Sequence, residues 1–210
     1  MSEFINEGSG AIIAFIFNWM LIQRAGVDGV AAITVVNYML MTGFMMFFAI
    51  EDTSQVMISQ NYGAKNAQRT RAFLKTACVI VASLSLCFIT ILLTASESLI
   101  YLFVDEKGSE QTVILALEFV NYVWPIFIFA GFNMIITGYL TAIHLPFQSA
   151  LLAMSRGLIL PTGLLIIFYS LLSDFRFIAA LSIAESVAFI LAIALFLQYS
   201  PQKAISAARG

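Results

Sequence analysis

Five acidic side chains stand within or beside long apolar stretches of this sequence, and they are the residues best suited to chemistry. Glu7 lies near the N-terminus among small and polar neighbours, and Glu118 lies early in a later apolar stretch. Glu51 and Asp52 follow a long apolar run, and Glu185 lies midway along the last one. A carboxylate that faces lipid costs at least ~2–3 kcal/mol, so such a residue faces a bundle interior or water by default. There it binds a cation or a proton, or it anchors a hydrogen-bond network.

The residues alone leave two roles open for most of these acids. Glu7 is either a coupling-ion or proton site in a cavity, or an interfacial acid that the helix dipole favours. Glu51 and Asp52 project about 100° apart on a helix, so at most one of them can face a given cavity. Because roughly 20 apolar residues precede them, enough to cross the bilayer, we expect a solvated helix end. Glu118 lies near an end of its segment, where it reaches the interface. Glu185 is the deepest acid and must find a buried partner or carry a proton.

Asparagines within the apolar stretches form the second set of candidates. They are Asn18, Asn37, Asn61, Asn121 and Asn133. An asparagine side chain stabilises helix packing by hydrogen bonds between helices, and the same side chain suits the wall of a polar cavity. We take Asn18, Asn37 and Asn121, together with Glu185, as cavity candidates.

The composition excludes several classes of protein. Hydrophobic residues make up 61% and charged residues 10%, with a mean hydropathy of +0.96. A soluble domain carries roughly 25% charged residues, and a disordered chain has far less apolar surface. A net charge of -2 lacks the excess of basic residues that nucleic-acid binding requires. What remains is an integral membrane protein in contact with a lipid bilayer.

The sequence carries no enzymatic motif. Walker A, G-x-S-x-G and H-E-x-x-H patterns are absent, so we expect neither ATP coupling nor hydrolysis. The two cysteines, Cys78 and Cys87, share one apolar stretch and His144 is the single histidine. We therefore expect no disulfide framework, no zinc site and no cofactor.

Six segments are apolar enough to cross a bilayer, which predicts an all-α membrane bundle that occupies residues 1–210 as one unit. Their approximate ranges are about 5–23, 30–61, 70–93, 111–142, 147–172 and 176–198. The second exceeds the hydrocarbon thickness, so its end should project toward the cytoplasm or line a wet cavity. Pro125 should bend the fourth, because proline frees a carbonyl in the preceding turn.

Basic residues concentrate on one side of the predicted bundle. That side holds Lys65, Arg69, Arg71, Lys75, Lys203 and Arg209, and the opposite side holds Arg24, Lys107 and Arg176. Arg156 lies about two turns into the fifth segment and leans toward the more basic side. The positive-inside rule then predicts that both termini are cytoplasmic.

Several strings along the chain match one family. Ile58-Ser59-Gln60-Asn61-Tyr62-Gly63-Ala64-Lys65-Asn66 resembles the S-x-N-x-G-A-x-N segment of multidrug and toxic compound extrusion (MATE) transporters. Residues 3–10 with Asn18 resemble the start of that family's seventh helix, and residues 26–32 the link into the eighth. Residues 138–142 and Arg156-Gly157 are similar to its later helices.

The resemblance implies a fold and a function. Family members have twelve helices in two six-helix lobes around a central cavity, and this chain resembles the C-terminal lobe. Glu7 matches an acid of the seventh helix that is implicated in cation binding in some members. Residues 125–131, where some members carry a second acid, contain none, so proton or single-site sodium coupling is expected.

The expected function is a lobe of an H+- or Na+-coupled antiporter that exports small amphipathic organic cations across the plasma (inner) membrane. Its expected partner is a second six-helix lobe, as a separate chain or a second copy. A lipid-linked precursor flippase of the same superfamily is an alternative, although it requires a strongly basic cavity and only Arg156 lies within a helix. A truncated, non-transporting membrane fragment is a third possibility.

Overall fold

Long apolar runs with few breaks fold into helices throughout the described part of the chain. The computed structural model describes the backbone of residues 2–104 and 109–207, and the side chains of residues 12–104 and 109–206. The helices are α1 Ser2–Gly63, α2 Ala67–Thr94, α3 Ser96–Tyr101, α4 Glu110–Val123, α5 Ile126–Ala142, α6 Pro146–Met154, α7 Leu160–Leu171, α8 Ala180–Gln198 and α9 Pro201–Ala207. A π-helical segment, Ser155–Ile159, joins α6 to α7, and a 3-10 turn, Phe175–Ala179, precedes α8.

Helix α1 is a hairpin of two arms rather than one rod. Gly26 has φ 61° and ψ -149°, a backbone conformation that is essentially restricted to glycine. A carbon added to Gly29 would lie 3.5 Å from the carbonyl oxygen of Leu21. Eight residues of continuous helix would separate these positions by about 12 Å, so the chain reverses at Gly26. We call residues 2–25 the first arm and residues 27–63 the second arm.

Four helical runs are long and apolar enough to cross a membrane among the residues described. They are Ile12–Gly63, Ala67–Thr94, Pro146–Leu171 and Phe175–Gln198, and the bent pair Glu110–Val123 with Ile126–Ala142 is a fifth. Because the first run consists of two arms, the described chain presents six apolar segments. The sequence did not predict the short helices α3 and α9.

The bend between α4 and α5 confirms the effect predicted for Pro125. The two helices meet at an angle of 52°. Beside the proline, the amide of Phe127 donates to the carbonyl of Trp124 at 3.2 Å, a tighter pairing than that of an α-helix. The missing proline N–H and its bulky ring prevent the regular pattern.

Helix α5 forms the centre of the bundle, and most of its residues are buried. Phe127 on α5 stacks on Phe88 with ring centroids 5.3 Å apart and meets Phe47 edge-on at 5.9 Å. Small residues let neighbouring helices approach α5 closely. Such close packing stabilises the bundle, because the hydrophobic effect does not drive helices together within lipid. At Gly131 an added carbon would overlap the side chain of Val81 on α2.

Arg24 ties the hairpin turn to the link between α7 and α8. Its guanidinium donates to the backbone carbonyls of Asp174, at 2.6 Å, and of Tyr169. It also lies 4.0 Å from the centroid of the Tyr169 ring and 4.9 Å from that of Phe177. These contacts hold the hairpin turn of α1 against the link between α7 and α8.

Candidate functional site: a cavity with a buried ion pair

A cavity of about 450 Å³ lies between the two arms of α1 and the last helices of the chain. It is lined by Ile13, Ala14, Phe17, Asn37, Leu40, Met41, Phe44, Ile126, Arg156, Gly157, Pro161, Leu181 and Glu185. Most of this wall is aliphatic, aromatic or thioether. Arg156 and Glu185 are the two charged residues within it.

Arg156 and Glu185 neutralise each other in the cavity wall. The Nη2 atom of Arg156 lies 3.1 Å from Oε1 of Glu185, and the two side chains are 13% and 10% exposed. Removing one partner of such a pair leaves an uncompensated buried charge, which costs about 3–5 kcal/mol. The pair therefore satisfies the requirement that a deep acid in a membrane helix finds a partner.

Asn133 on α5 holds the other oxygen of the same carboxylate. Its Nδ2 donates to Oε2 of Glu185 at 2.6 Å and to the backbone carbonyl of Glu185 at 3.0 Å. Asn133 is fully buried. Within the described chain, Oδ1 of Asn133 and Nε of Arg156 are buried without a hydrogen-bond partner. Both oxygens of the Glu185 carboxylate are thus bonded, whereas Asn133 and Arg156 each keep one buried polar atom without a partner in the described chain.

The π-helical segment places Arg156 in the wall. Its widened turn is marked by the amide of Leu160, which donates to the carbonyl of Ser155 five residues earlier. Pro161 supplies the local reason, because it has no N–H for Gly157 and its ring clashes with that carbonyl. Bulges of this kind occur frequently at functional sites. A proline 15 residues inside the predicted fifth helix was the available sequence signal.

The structure separates the cavity candidates that the sequence treated alike. Asn37 and Glu185 both line the cavity, and Asn18 is half-buried outside its lining. Asn121 is exposed, and its Nδ2 donates to the carbonyl of Leu117 on its own helix at 3.2 Å. The side chain of Glu7 lies outside the described residues. Asn133, which we did not select from the sequence, makes the polar contact to Glu185 instead.

The remaining acids divide between the interior and the surface. The interpretation of Glu51 as a solvated helix end is wrong, because this half-buried side chain packs on Gly138, where an added carbon would lie 2.8 Å from its Cγ. Its neighbour Asp52 is exposed, as predicted. Oε1 of Glu118 accepts a hydrogen bond from the Tyr122 hydroxyl at 3.3 Å. No three His, Cys, Asp or Glu side chains of residues 12–104 and 109–206 gather into a metal-binding group.

Comparison with known proteins identifies relatives of this bundle. The MatE family profile matches residues 10–159. A MATE protein solved in complex with MaL6 superposes with a TM-score of 0.81 at 20% identity, covering 98% of this chain and 45% of that one. A MOP superfamily transporter from Pyrococcus furiosus, described as having a binding pocket of reverse polarity, superposes with a TM-score of 0.83 at 21% identity, covering 98% and 45%.

An outward-facing multidrug resistance MATE transporter superposes similarly, with a TM-score of 0.79 at 20% identity and coverage of 97% and 44%. A comparison with curated protein sequences finds no match. The chain spans less than half the length of the solved structures it matches.

Proposed function

Because the chain belongs to the MatE family of membrane transporters, we propose that it forms one lobe of a cation-coupled antiporter that exports amphipathic organic cations. In this proposal the coupling ion is H+ or Na+, the membrane is the plasma (inner) membrane, and both termini are cytoplasmic. The lobe works with a second six-helix lobe, supplied by another chain or by a second copy.

The cavity wall is the observation that carries the substrate class. Its aromatic and thioether side chains, among them Phe17, Phe44 and Met41, suit the apolar body of an amphipathic ligand. Phenyl faces also attract a cation by about 0.5–2 kcal/mol as water is removed. The single arginine in the wall is already compensated by Glu185. A lipid pyrophosphate would require free positive charge, so this wall favours an organic cation over the flippase alternative.

Glu7 is the proposed coupling-ion site on the first arm. It precedes Ala14, a lining residue, by seven positions in the same helix. Seven residues are close to two helical turns, so positions 7 and 14 share one helix face about 10 Å apart along the axis. In this proposal the carboxyl group of Glu7 contributes a negative charge when it is ionised and loses that charge when it binds a proton.

The share of its relatives that this chain covers supports the proposal of a second lobe. The solved relatives are more than twice as long, and a cavity that alternates between two sides of a membrane needs a second wall that moves against the first. The native mass of the complex, extracted gently from its own membranes, identifies that wall: a second chain or a second copy fits the proposal. A chain that runs as a monomer and does not transport contradicts it and favours a non-transporting fragment.

Transport in vesicles tests the proposal directly. The purified complex is reconstituted into liposomes, and ethidium movement is followed after a proton or sodium gradient is imposed. We expect uptake against the direction of the coupling ion, with loss of uptake in Glu7→Gln. The matched control is Glu97→Gln, which removes an exposed acid on α3. Ethidium movement that does not depend on the gradient would contradict cation coupling. Normal uptake by Glu7→Gln would contradict the role of Glu7 as the coupling-ion site.

A further inference from the structure

Three links between long helices meet at one end of the bundle. They are residues 64–66 between α1 and α2, residues 143–145 between α5 and α6, and residues 199–200 between α8 and α9. The rings of Tyr62 and His144 have centroids 6.0 Å apart, which joins the first link to the second. The hydroxyl of Tyr139, near the end of α5, donates to the backbone carbonyl of Tyr199 at 2.5 Å. This contact joins the second link to the third.

The same end carries positive charge and no acidic residue in its links. The links lie within residues 53–96, 119–173 and 186–210, which contain no Asp or Glu. In the first turns of α2, Arg69, Arg71 and Lys75 are exposed. None of these three side chains forms an ion pair with a described residue. We call this end of the bundle the basic end.

A cavity of about 490 Å³ opens at the basic end between the start of α2 and α9. It is lined by Ala64, Lys65, Asn66, Ala67, Gln68, Gln202, Ile205 and Ser206. Most of these side chains are polar, and Lys65 is a cation. Ile205 is buried, so α9 is held in place as one wall. A cavity of this size falls within the range of small-molecule sites, roughly 300–1,000 Å³.

One face of α2 leads from this cavity into the apolar part of the helix. Positions three, four or seven residues apart share a helix face. That face carries, in order along the chain, the exposed residues Gln68, Arg71, Lys75, Val79 and Leu86. Its beginning is polar and basic and its continuation is apolar. A phospholipid has the same order, with a charged headgroup above acyl chains.

The length of α2 places the change from polar to apolar at the edge of the hydrocarbon. The helix has 28 residues and is about 42 Å long, against about 30 Å for the hydrocarbon core of a bilayer. Residues 76–94 carry no charge and span about 28 Å, so they match that core. The turns that carry Gln68 and Arg71 are therefore left at the depth of the lipid headgroups.

We propose that the cavity at the basic end binds the headgroup of an anionic phospholipid whose acyl chains lie along α2. The phosphate lies near Gln68 and Arg71, and the acyl chains contact Val79 and Leu86. The positive charges attract the headgroup, and the apolar continuation of the face favours a lipid over a soluble phosphate. The bound lipid bridges α2 and α9. This site is separate from the cavity with the buried ion pair and does not depend on what that cavity carries.

Native mass spectrometry of the purified complex in detergent, titrated with dioctanoyl phosphatidylglycerol or dioctanoyl phosphatidylcholine, tests the site. We expect the unaltered protein to bind the anionic lipid more tightly. Arg71→Gln should weaken that binding about fivefold, and Arg71→Gln with Lys75→Gln about 25-fold, because each basic side chain strengthens the attraction about fivefold. Arg176→Gln, which removes an exposed arginine outside the basic end, should bind as the unaltered protein does. Equal binding of the two lipids, or equal losses in Arg71→Gln and Arg176→Gln, overturns the proposal.

A second pair of variants separates the cavity from diffuse surface charge. Gln202→Trp places an indole in the cavity without changing the charge and should abolish tight binding of the anionic lipid. Gln111→Trp makes the same change at an exposed glutamine on α4 and should have no effect. If both variants bind alike, the cavity is not the site. If Gln202→Trp does not assemble, Gln202→Glu serves instead, with an expected loss of about fivefold and Gln111→Glu as its control.

A soluble competitor distinguishes a lipid from a free phosphate. Glycerol phosphate has the charged group without acyl chains, so at equimolar concentration it should leave the phosphatidylglycerol bound. Displacement at that concentration would show that the ligand is a soluble phosphate and would overturn the lipid assignment. Because no step of these measurements involves transport, their outcome is independent of the proposed antiport.

Discussion

Replacing Gly131 with alanine should break the closest approach between α5 and α2. An added Cβ would fall within 3.0 Å of Cγ1 of Val81, a distance that real Cβ atoms essentially never show, and it would lie 3.3 Å from two ring atoms of Phe47. Val81 and Phe47 are fully buried, so neither side chain has room to withdraw. Overpacking of this kind costs about 1–3 kcal/mol.

A matched substitution and a compensating one isolate the contact. Gly163→Ala adds the same methyl group on α7, where no atom lies within 4 Å, and should stabilise by up to ~1 kcal/mol through helix propensity. Val81→Ala removes the Cγ1 methyl group that Gly131→Ala would meet, together with Cγ2, and costs about 1–2 kcal/mol alone. The double variant should recover about 1–2 kcal/mol relative to the sum of the single changes.

Maleimide labelling of Cys78 during unfolding in mixed detergent micelles measures these differences. Cys78 is half-buried on α2, one turn before Val81, and a Cys87→Ser background removes the exposed second thiol. The denaturant dependence of the labelling rate yields the free energy of opening this interface. Equal stability of Gly131→Ala and Gly163→Ala, or strictly additive effects in the double variant, would refute the close approach.

Three further substitutions test the hairpin, its anchor and a helix cap by the same unfolding assay. Gly26→Ala should cost about 1–3 kcal/mol, because φ 61° with ψ -149° strains any residue with a Cβ even though no atom lies within 4 Å. Arg24→Lys should cost about 1–3 kcal/mol, because an ammonium group lacks the planar fork that bonds to two carbonyls. Asn66→Ala should cost about 1 kcal/mol, because its Oδ1 accepts from the amide of Arg69 at the start of α2.

Each of these has a control of the same type elsewhere in the chain. Gly63→Ala adds a methyl group at a glycine that has open space and no positive φ, so it should be nearly neutral. Arg176→Lys changes an exposed arginine and should cost under about 0.5 kcal/mol. Gln68→Ala changes an exposed residue in the first turn of α2 and should cost under about 0.5 kcal/mol in the same assay. Equal losses in a variant and its control would contradict the corresponding contact.

Local features of the fold were predictable because their causes lie within a few residues. Apolar runs of membrane length indicate helices, and Pro125 removes an amide and forces a bend wherever it falls within a helix. The hairpin at Gly26 was predicted as a break between two helices for the same reason, since glycine and polar residues cluster there. The widened turn before Pro161 had an equally local cause.

The candidate site depended on contacts between distant parts of the chain. Glu185 meets Arg156, 29 residues away, and Asn133, 52 residues away. Glu51 packs against Gly138 on another helix, which corrects its interpretation as a solvated end. Asn37 reached the cavity while Asn121 faces outward, although the two residues looked equivalent in the sequence. Such pairings depend on how deep each helix lies in the bundle and on its rotation about its own axis. The pattern of apolar residues within one helix does not determine either quantity.

The sequence by itself determined that this protein is an α-helical membrane bundle, because apolar segments of bilayer length have no other way to satisfy their backbone groups in lipid. It also determined that a deep acid on the last helix must be paired or protonated, because an isolated charge there is too costly. Only the tertiary structure decided that Arg156 is the partner, that Asn133 holds the same carboxylate, and that both face one cavity. The physical reason is that these side chains share no local pattern and meet only when α5, the π-helical segment and α8 pack at one depth.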